Sequence, residues 1–182
     1  ISFSGDGEPT LVENFSECVE AAAEVRRREN LDQTKIVLIT NATGLDKADV
    51  KKGLAVMDAN NGEVWAKLDA GTEAWYRMIN RSSVQFERIL RNILDTSRER
   101  PIVIQSLFMR VHGGPMPEAE LLAYCERLRS FVLNGGKIKE VHAYTIARPV
   151  PEPWVEKLTE QELEATAAVI RGKTGVTVRT FA

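Results

Sequence analysis

The segment from Gly5 to Pro9 holds the densest group of chemically useful residues near the start of the chain. Gly5 and Gly7 permit a tight turn and let a ligand approach the backbone closely. Such a turn exposes backbone carbonyl oxygens, and Asp6 and Glu8 place carboxylates beside them, which suits an ammonium group. Pro9 lacks the N–H that would be unpaired at a helix start in any case. An ordinary turn between a strand and a helix accounts for the same residues equally well.

Polar residues also recur on one face of the predicted strands. Successive side chains of a strand point to opposite faces, so each predicted strand has an apolar face and a mixed face. Helices should cover the apolar faces, which leaves the mixed faces pointing into a barrel. The polar positions predicted inside are Ser2, Ser4, Asn41, Lys67, Asp69, Gln105, Tyr144 and Arg148.

Burying so many polar groups without partners would cost about 1–3 kcal/mol each. An open lumen that holds water and a polar ligand removes this cost. Most of these residues are predicted near the carboxyl ends of strands, where α/β folds bind their ligands. We therefore predict a polar ligand site there, although a structural hydrogen bond would explain any one of them equally well.

The composition is that of a globular protein, with 43% hydrophobic and 27% charged residues in 182. A net charge of −2 and a pI near 5.8 give no indication of a nucleic-acid partner. No apolar run approaches the roughly 20 residues that a membrane span needs. Cys18 and Cys125 lie far apart in amphipathic segments, which is no disulfide framework and favours a reducing cytoplasm.

Short apolar runs alternate with helical patterns, which predicts an α/β fold of mostly parallel strands joined by crossovers. The predicted strands are Ile1–Ser4, Lys35–Asn41, Gly62–Asp69, Ile102–Arg110, Ile138–Ala147 and Val176–Phe181. Helices are predicted from Thr10 onward, over 46–59, 83–99 and 118–134, and after Thr159.

Local signals mark the ends of several helices. Thr10 with Glu13 and Thr159 with Glu162 have the spacing of capping boxes. The pair of glycines at 135–136 predicts a helix C-terminus. The apolar face predicted for the first helix is Leu11, Phe15, Val19, Ala22 and Val25. That of the last helix is Leu163, Ala167 and Ile170.

The alternation of apolar and polar residues is already under way at Ile1, with no initiator methionine before it. A natural N-terminus rarely lies inside a strand. We therefore interpret residues 1–182 as a single truncated barrel domain, the C-terminal part of a longer protein.

Phe3 to Leu11 resembles the Gly-Gly-Glu-Pro motif that ends the second strand of radical S-adenosylmethionine (SAM) enzymes, with Asp6 as an inserted residue. This variant is similar to a branch of iron–sulfur oxidoreductases that includes the tRNA wybutosine-synthesis enzymes and several uncharacterised bacterial proteins. Further stretches that resemble this branch are Leu38–Ala42, Val64–Gly71, Ile79–Arg81, Gln105–Phe108 and Tyr144–Pro149. The first motif alone would be weak, and the shared order of the others makes the resemblance specific.

The resemblance implies a partial (βα)6 TIM-like barrel with SAM across its strand ends, from which the first strand and the cluster loop are missing. Gly7 and Glu8 would meet the methionyl ammonium of SAM. Asn41 and Lys67 or Asp69 would lie near its carboxylate or ribose, and residues 144–147 near its adenine. The candidate cofactor-binding residues are Gly5, Asp6, Gly7, Glu8, Pro9, Asn41, Lys67, Asp69, Gln105, Tyr144 and Arg148.

Family chemistry also implies a [4Fe–4S] cluster, which donates one electron to SAM and cleaves it to methionine and a 5′-deoxyadenosyl radical. Three cysteines in a Cys-x3-Cys-x2-Cys run hold that cluster, after a strand that would precede Ile1. Cys18 and Cys125 lack this spacing, so we assign no metal ligand and expect this chain alone to be inactive. The resemblance further implies an unknown substrate and an electron donor such as flavodoxin or ferredoxin.

Two other functions remain open from the sequence. A degenerate barrel could bind a nucleotide or a protein without catalysing a reaction. Lys67 on a barrel strand, with Asp69 two residues later, could instead form a Schiff base as in class I aldolases. His112 and His142 are too few for a metal site without carboxylate ligands. Trp154, in a proline-rich loop, is expected to pack, to cover the lumen or to meet a partner.

Overall fold

The computed structural model describes residues 1–5, 7–150 and 152–182, so the candidate Asp6 lies outside the described residues. Within this part the strands are β1 (Ser2–Phe3), β2 (Ile36–Thr40), β3 (Gly62–Lys67), β4 (Ile102–Leu107), β5 (Met109–Val111), β6 (Ile138–Tyr144), β7 (Val155–Lys157) and β8 (Val178–Phe181). The strands β1, β2, β3, β4, β6 and β8 form one parallel sheet in that order. β5 and β7 form a separate antiparallel pair.

Parallel neighbours cannot be joined by a tight turn, so each connection in the sheet needs a crossover. The helices of these crossovers are α1 (Phe15–Arg28), α2 (Ala48–Asp58), α3 (Glu73–Asn80), α4 (Phe86–Glu99), α5 (Glu118–Leu133) and α6 (Glu160–Thr174). None of the described helices is long and apolar enough to cross a bilayer. The predicted α/β fold with a mostly parallel sheet is confirmed, and the sequential strand order is consistent with a partial barrel.

Alternation along the strands separates an outer, helix-covered face of the sheet from an inner face. In β2, Ile36 and Leu38 are completely buried, whereas Val37 and Ile39, which alternate with them, are only half-buried. The same pattern in the other strands leaves Trp65, Lys67, Gln105, His142 and Tyr144 on the inner face. The inner face is therefore the more polar of the two, as the sequence predicts.

The first helix begins later than predicted. Residues 9–11 form a short 3₁₀ helix, and α1 starts only at Phe15. The predicted capping box of Thr10 with Glu13 is wrong, because the N–H and hydroxyl of Thr10 both donate to Glu8 Oε1, at 3.2 and 2.6 Å. Leu11 and Val25 are exposed, so the buried face is narrower than predicted.

The later helices follow the sequence signals more closely. The predicted capping box at α6 is confirmed: Glu162 N–H donates to the Thr159 hydroxyl at 3.2 Å, and Thr159 N–H donates to Glu162 Oε2 at 2.9 Å. The predicted apolar face of α6 is completely buried. Gly135, with a φ of 86°, follows the end of α5 as expected.

Three features depart from the predicted elements. The helix α3 and the strand β7 were not predicted, because α3 has 8 residues and β7 has 3, too few for a clear periodicity. The predicted strand 102–110 divides into β4 and β5 at Phe108, whose ring packs edge-on against Tyr124. After this break, β5 lies outside the main sheet and pairs with residues 155–157, which thereby form β7.

The segment after β3 is held against α5 by an unusually close backbone contact. A Cβ on Gly71 would lie 2.1 Å from the backbone nitrogen of Tyr124, so only glycine fits. The buried Glu120 of α5 accepts hydrogen bonds from the N–H groups of Gly71 and Thr72, at 2.5 and 3.1 Å. Arg127 Nε donates to the carbonyl of Gly71 at 2.9 Å. These contacts fix the position of Asp69, two residues earlier.

The variant Gly71→Ala should therefore lower the free energy of unfolding by about 1–3 kcal/mol, since the methyl group forces the backbone of α5 away. Gly172→Ala is the matched control, because a Cβ at this helical position meets nothing within 4 Å. It should raise stability by about 0.5–1 kcal/mol through the helix propensity of alanine. Urea denaturation measures both, and equal effects of the two changes would contradict the close-contact argument.

Candidate functional site

The side chain of Glu8 joins the turn after β1 to the end of β2. Its Oε1 accepts from Thr10, as described, and from the Thr40 hydroxyl at 2.5 Å. Its Oε2 accepts from the Asn41 N–H at 2.7 Å. With four donors on one carboxylate, the Glu8 side chain is used in holding the two strand ends together. A ligand at this turn therefore has mainly backbone atoms to contact.

The two glycines are the part of this turn that a ligand can approach. Apart from its chain neighbours, a Cβ at Gly5 or at Gly7 would meet no atom of the described residues within 4 Å, so these residues leave space open beside both. Gly5 has a φ of 149°, which side chains disfavour. The carbonyls of Glu8 and Pro9 already accept from Leu11 N–H and Val12 N–H, at 3.0 and 3.2 Å.

Asn41 lies at the neighbouring strand end, in a turn that its own side chain stabilises. The Asn41 Oδ1 accepts from the N–H and hydroxyl of Thr43, at 3.0 and 2.7 Å. Ala42 has a φ of 65°, and its carbonyl accepts from Asn92 Nδ2 at 2.8 Å. The turn is thus held rigidly, with the exposed Asn41 amide at its outer edge.

Lys67 and Asp69 form a charged pair at the end of β3. The carboxylate of Asp69 is buried and accepts from Leu107 N–H at 2.8 Å and from Asn80 Nδ2 at 2.9 Å. The Lys67 Nζ lies 3.9 Å from Asp69 Oδ2. The negative charge of Asp69 raises the pKa of Lys67 above its ordinary value and keeps the amine protonated at neutral pH. This disfavours the aldolase hypothesis, because Schiff-base formation needs a neutral amine.

A polar cavity of about 220 Å³ opens at the ends of β2 and β3. Its polar lining consists of Asn41, Thr43, Lys67, Asp69, Asn80 and Ser82. Tyr76 and Phe86, which also line it, have stacked rings with centroids 4.9 Å apart. We refer to it as the lysine cavity. It brings together three of the predicted residues, Asn41, Lys67 and Asp69.

A second cavity of about 290 Å³, the inner-face cavity, lies at β3, β4, β6 and β8. Its lining consists of Trp65, Gln105, His142, Tyr144, Thr145, Ala147, Phe181 and Ala182. Two of the predicted residues, Gln105 and Tyr144, lie here. Burial raises the pKa of Tyr144, and the phenol in turn contributes to the raised pKa of Lys67, so these two side chains are neighbours between the cavities.

Arg148 lies apart from both cavities. It is exposed in the loop after β6 and lines neither of them. Trp154, further along this loop, stacks on His112 with ring centroids 5.2 Å apart. The guanidinium of Arg81 lies 5.6 Å from the Trp154 centroid and forms an ion pair with Glu152 at 2.7 Å. Trp154 therefore packs against neighbouring loops and holds its segment near the end of α3.

The described residues do not fit an iron–sulfur cluster. Among them, no three or more His, Cys, Asp or Glu side chains are grouped to bind a metal ion. Cys18 is half-buried on α1, and Cys125 is buried on α5, where burial raises the pKa of its thiol. The described residues can contact and orient a ligand, but they do not supply the thiolates that hold an iron–sulfur cluster.

Sequence reasoning missed several cavity residues, each for a different reason. Asn80 and Ser82 lie at the end of α3 and just beyond it, and that helix was not predicted. Thr43 follows a turn whose left-handed residue is an alanine, which gives no local signal. Alternation groups His142 with Tyr144 on one face of β6, but the cavity beside it depends on rings from other strands.

Comparisons with known proteins give both a sequence relative and structural likenesses. No family model matches the chain. The UPF0026 protein slr1464 of a Synechocystis species is 32% identical over 101 residues, which are 54% of this chain and 34% of that protein. The crystal structure of a radical SAM methyltransferase from Sphaerobacter thermophilus superposes with a TM-score of 0.70 and 14% identity.

The chain shares its fold with that radical SAM methyltransferase. The match covers 100% of this chain and 50% of the other. The chain thus spans about a third of the length of the curated relative and half that of the solved structure. At this low identity the likeness concerns the fold, and the chemistry has to be argued from the cavities.

Glu8→Gln should lower the free energy of unfolding by about 1–3 kcal/mol, because an amide nitrogen cannot accept the bonds that the carboxylate accepts. Glu13→Gln, at an exposed glutamate of the same segment, should change stability by less than about 0.5 kcal/mol. Chemical denaturation compares the two variants. An equally small effect at Glu8 would show that its four hydrogen bonds do not hold the turn.

Glu63, at the opposite end of the inner face, gives a prediction about pH. Its carboxylate accepts from Lys139 Nζ at 2.7 Å, from Trp65 Nε1 at 2.8 Å and from Lys35. Burial would raise the pKa of Glu63, but the hydrogen bonds from Lys139, Lys35 and Trp65 outweigh it and lower the pKa from 4.5 to about 2.

Because the pKa is lower in the folded state, the stabilisation by Glu63 is complete above pH 4.5 and is lost as the pH falls towards 2. Glu63→Gln should therefore flatten the dependence of unfolding free energy on pH in this interval. Urea titrations across it test the point, with the exposed Glu156→Gln as control. Parallel curves for wild type and Glu63→Gln would be the contrary result.

Proposed function

We propose that this chain is the SAM-binding part of a radical SAM enzyme, of the iron–sulfur oxidoreductase branch related to the tRNA wybutosine-synthesis enzymes. The observation that carries the proposal is the placement of the glycine turn and the Lys67 ammonium. The turn lies at the carboxyl end of β1 and Lys67 at that of β3, on either side of β2 in a parallel sheet, and the fold is shared with a radical SAM methyltransferase. Ligands of α/β folds bind at this edge.

The two ends of the methionyl group of SAM need partners of opposite character. Its ammonium needs oxygen acceptors, and the backbone of Gly5 and Gly7 borders space that the other described residues leave open. Its carboxylate needs a cation, and Lys67 keeps its charge because Asp69 lies beside it. Asn41 and Ser82 add groups that can hydrogen-bond ribose hydroxyls. The residues present therefore fit the polar parts of SAM.

In this proposal the adenosyl end of SAM extends past Tyr144 into the inner-face cavity, beside residues 144–147. Gln105 would contact the same end. When bound, SAM supplies reductive cleavage chemistry that depends on a [4Fe–4S] cluster, which the described residues do not hold. What this chain contributes is binding, orientation and exclusion of water around SAM. Flavodoxin or ferredoxin is the proposed electron donor, in a reducing cytoplasm.

Binding of SAM and S-adenosylhomocysteine to this chain should be weak, with dissociation constants above about 100 µM, because chelation by a cluster supplies much of the affinity. Lys67→Met should weaken binding at least about tenfold by removing the cation opposite the carboxylate. Lys52→Met, at an exposed lysine of α2, is the control. Chemical-shift titration measures all three proteins. Unchanged affinity in Lys67→Met would contradict the assignment, and micromolar affinity would contradict the role given to the cluster.

A longer form of the protein that carries three cysteines in the family spacing before Ile1 would test the reaction itself. After anaerobic reconstitution and reduction, it should convert SAM to 5′-deoxyadenosine. A reduced, cluster-loaded protein that leaves SAM intact would instead support a barrel that binds a nucleotide without turnover.

A further inference from the structure

His142 is a buried residue of β6 whose side chain has no part in the SAM contacts proposed above. Its side chain is 7% exposed, and its Nε2 lies 2.8 Å from Glu140 Oε1. The guanidinium of Arg179 lies 3.8 Å from the same carboxylate oxygen. An ionised carboxylate only accepts hydrogen bonds, so Nε2 carries a proton. Glu140 therefore fixes the tautomer, and Nδ1 of the neutral ring bears a lone pair.

The lone pair on Nδ1 has access to the inner-face cavity. Among the described residues, His142 forms its side-chain hydrogen bond through Nε2 alone. In the same part of the chain, no buried side-chain nitrogen or oxygen lacks a hydrogen-bond partner. Nδ1 is therefore not fully enclosed, and the cavity that His142 lines is the inner-face cavity. A ligand there meets a hydrogen-bond acceptor whose orientation is fixed.

The walls around this acceptor are aromatic and held in place. The Trp65 ring lies edge-on to His142 with centroids 4.7 Å apart, and the Phe181 ring lies at 5.0 Å. Trp65 donates its indole N–H to Glu63, so its ring cannot turn freely. A volume of about 290 Å³ is at the small end of ligand pockets. Aromatic walls with a few polar groups suit one planar ring system.

We propose that His142, oriented by Glu140, is a specificity-determining residue for a planar nitrogen heterocycle that enters the inner-face cavity and donates an N–H to Nδ1. Two sources could supply such a ring: the adenine of SAM, through its exocyclic amino group, or a heterocycle of the substrate. Only the first source rests on the proposed function. The hydrogen bond at Nδ1 is the same for both.

The first test is the tautomer of His142. The chain has 2 histidines, so His112→Asn leaves one imidazole, which nitrogen NMR resolves without ambiguity. We expect a protonated Nε2 and an unprotonated Nδ1 at neutral pH. A ring protonated at Nδ1, alone or together with Nε2, or a Nε2 proton that exchanges as fast as in a free imidazole, would overturn the proposal.

The second test compares ligands that differ in their N–H groups. Adenosine carries the amino donor, and purine riboside is the same nucleoside without it. Adenosine should bind about fivefold more tightly than purine riboside and should shift the Nδ1 resonance. S-adenosylhomocysteine and guanosine separate the sources: a shift with the former identifies the adenine of SAM, and a shift with guanosine alone identifies a substrate ring. No Nδ1 shift with any of them at millimolar concentration would refute the site.

Variants distinguish a direct role of His142 from a structural one. In Glu140→Gln the amide can donate or accept, so the tautomer is no longer fixed. The ratio of the affinities for adenosine and purine riboside should then fall towards one. His142→Phe keeps a ring but no nitrogen and should abolish the preference. Glu156→Gln should retain it, and thermal unfolding shows that each variant is folded. S-adenosylhomocysteine binding with no His142 response to any of the ligands would end this proposal alone, whereas a guanosine response without S-adenosylhomocysteine binding would count against the proposed function.

Discussion

The carboxylate of Glu8 is the contact on which the geometry of the candidate site depends. The strand β1 contributes only 2 residues to the sheet, too short a ladder to position the turn that follows it. Glu8 compensates by accepting hydrogen bonds from Thr40 and Asn41 at the end of β2 as well as from Thr10 beside it. The sequence suggests Glu8 as a ligand for an ammonium group. In the structure, its carboxylate first connects two strand ends.

The inner face of the sheet is organised in charged and aromatic layers. Glu63 and its lysines close the end at which the strands begin, and the Trp65–His142–Phe181 rings follow. Lys67 and Tyr144 then separate the two cavities at the carboxyl ends. Each charge has an opposite partner, as burial requires. The positions of these paired charges, rather than the apolar core, decide which groups a ligand can contact at the carboxyl ends of the strands.

The sequence predicts the sheet well because buried parallel strands depend on a short-range pattern. Alternation places Lys67 and Gln105 on the inner face, and the capping box of α6 is a purely local signal. Thr10 shows the limit, since two glutamates compete for its side chain and the choice of Glu8 over Glu13 depends on Thr40, distant in sequence. Asn80 and His142 were not predicted as site residues for a similar reason: Asn80 bonds Asp69 from an unpredicted helix, and the rings around His142 come from other strands.

The contact of Gly71 and Thr72 with Glu120 has a kinetic consequence. It spans 49 residues of sequence, so the loop that it closes is among the later ones to form as the chain folds. The sheet from β1 to β4 can assemble beforehand and hold Asp69 through Leu107 N–H, but residues 71–72 are held in place only after α5 docks. A nascent chain could therefore have most of its strands paired, with Asp69 already bonded to β4, while residues 71–72 were still unattached.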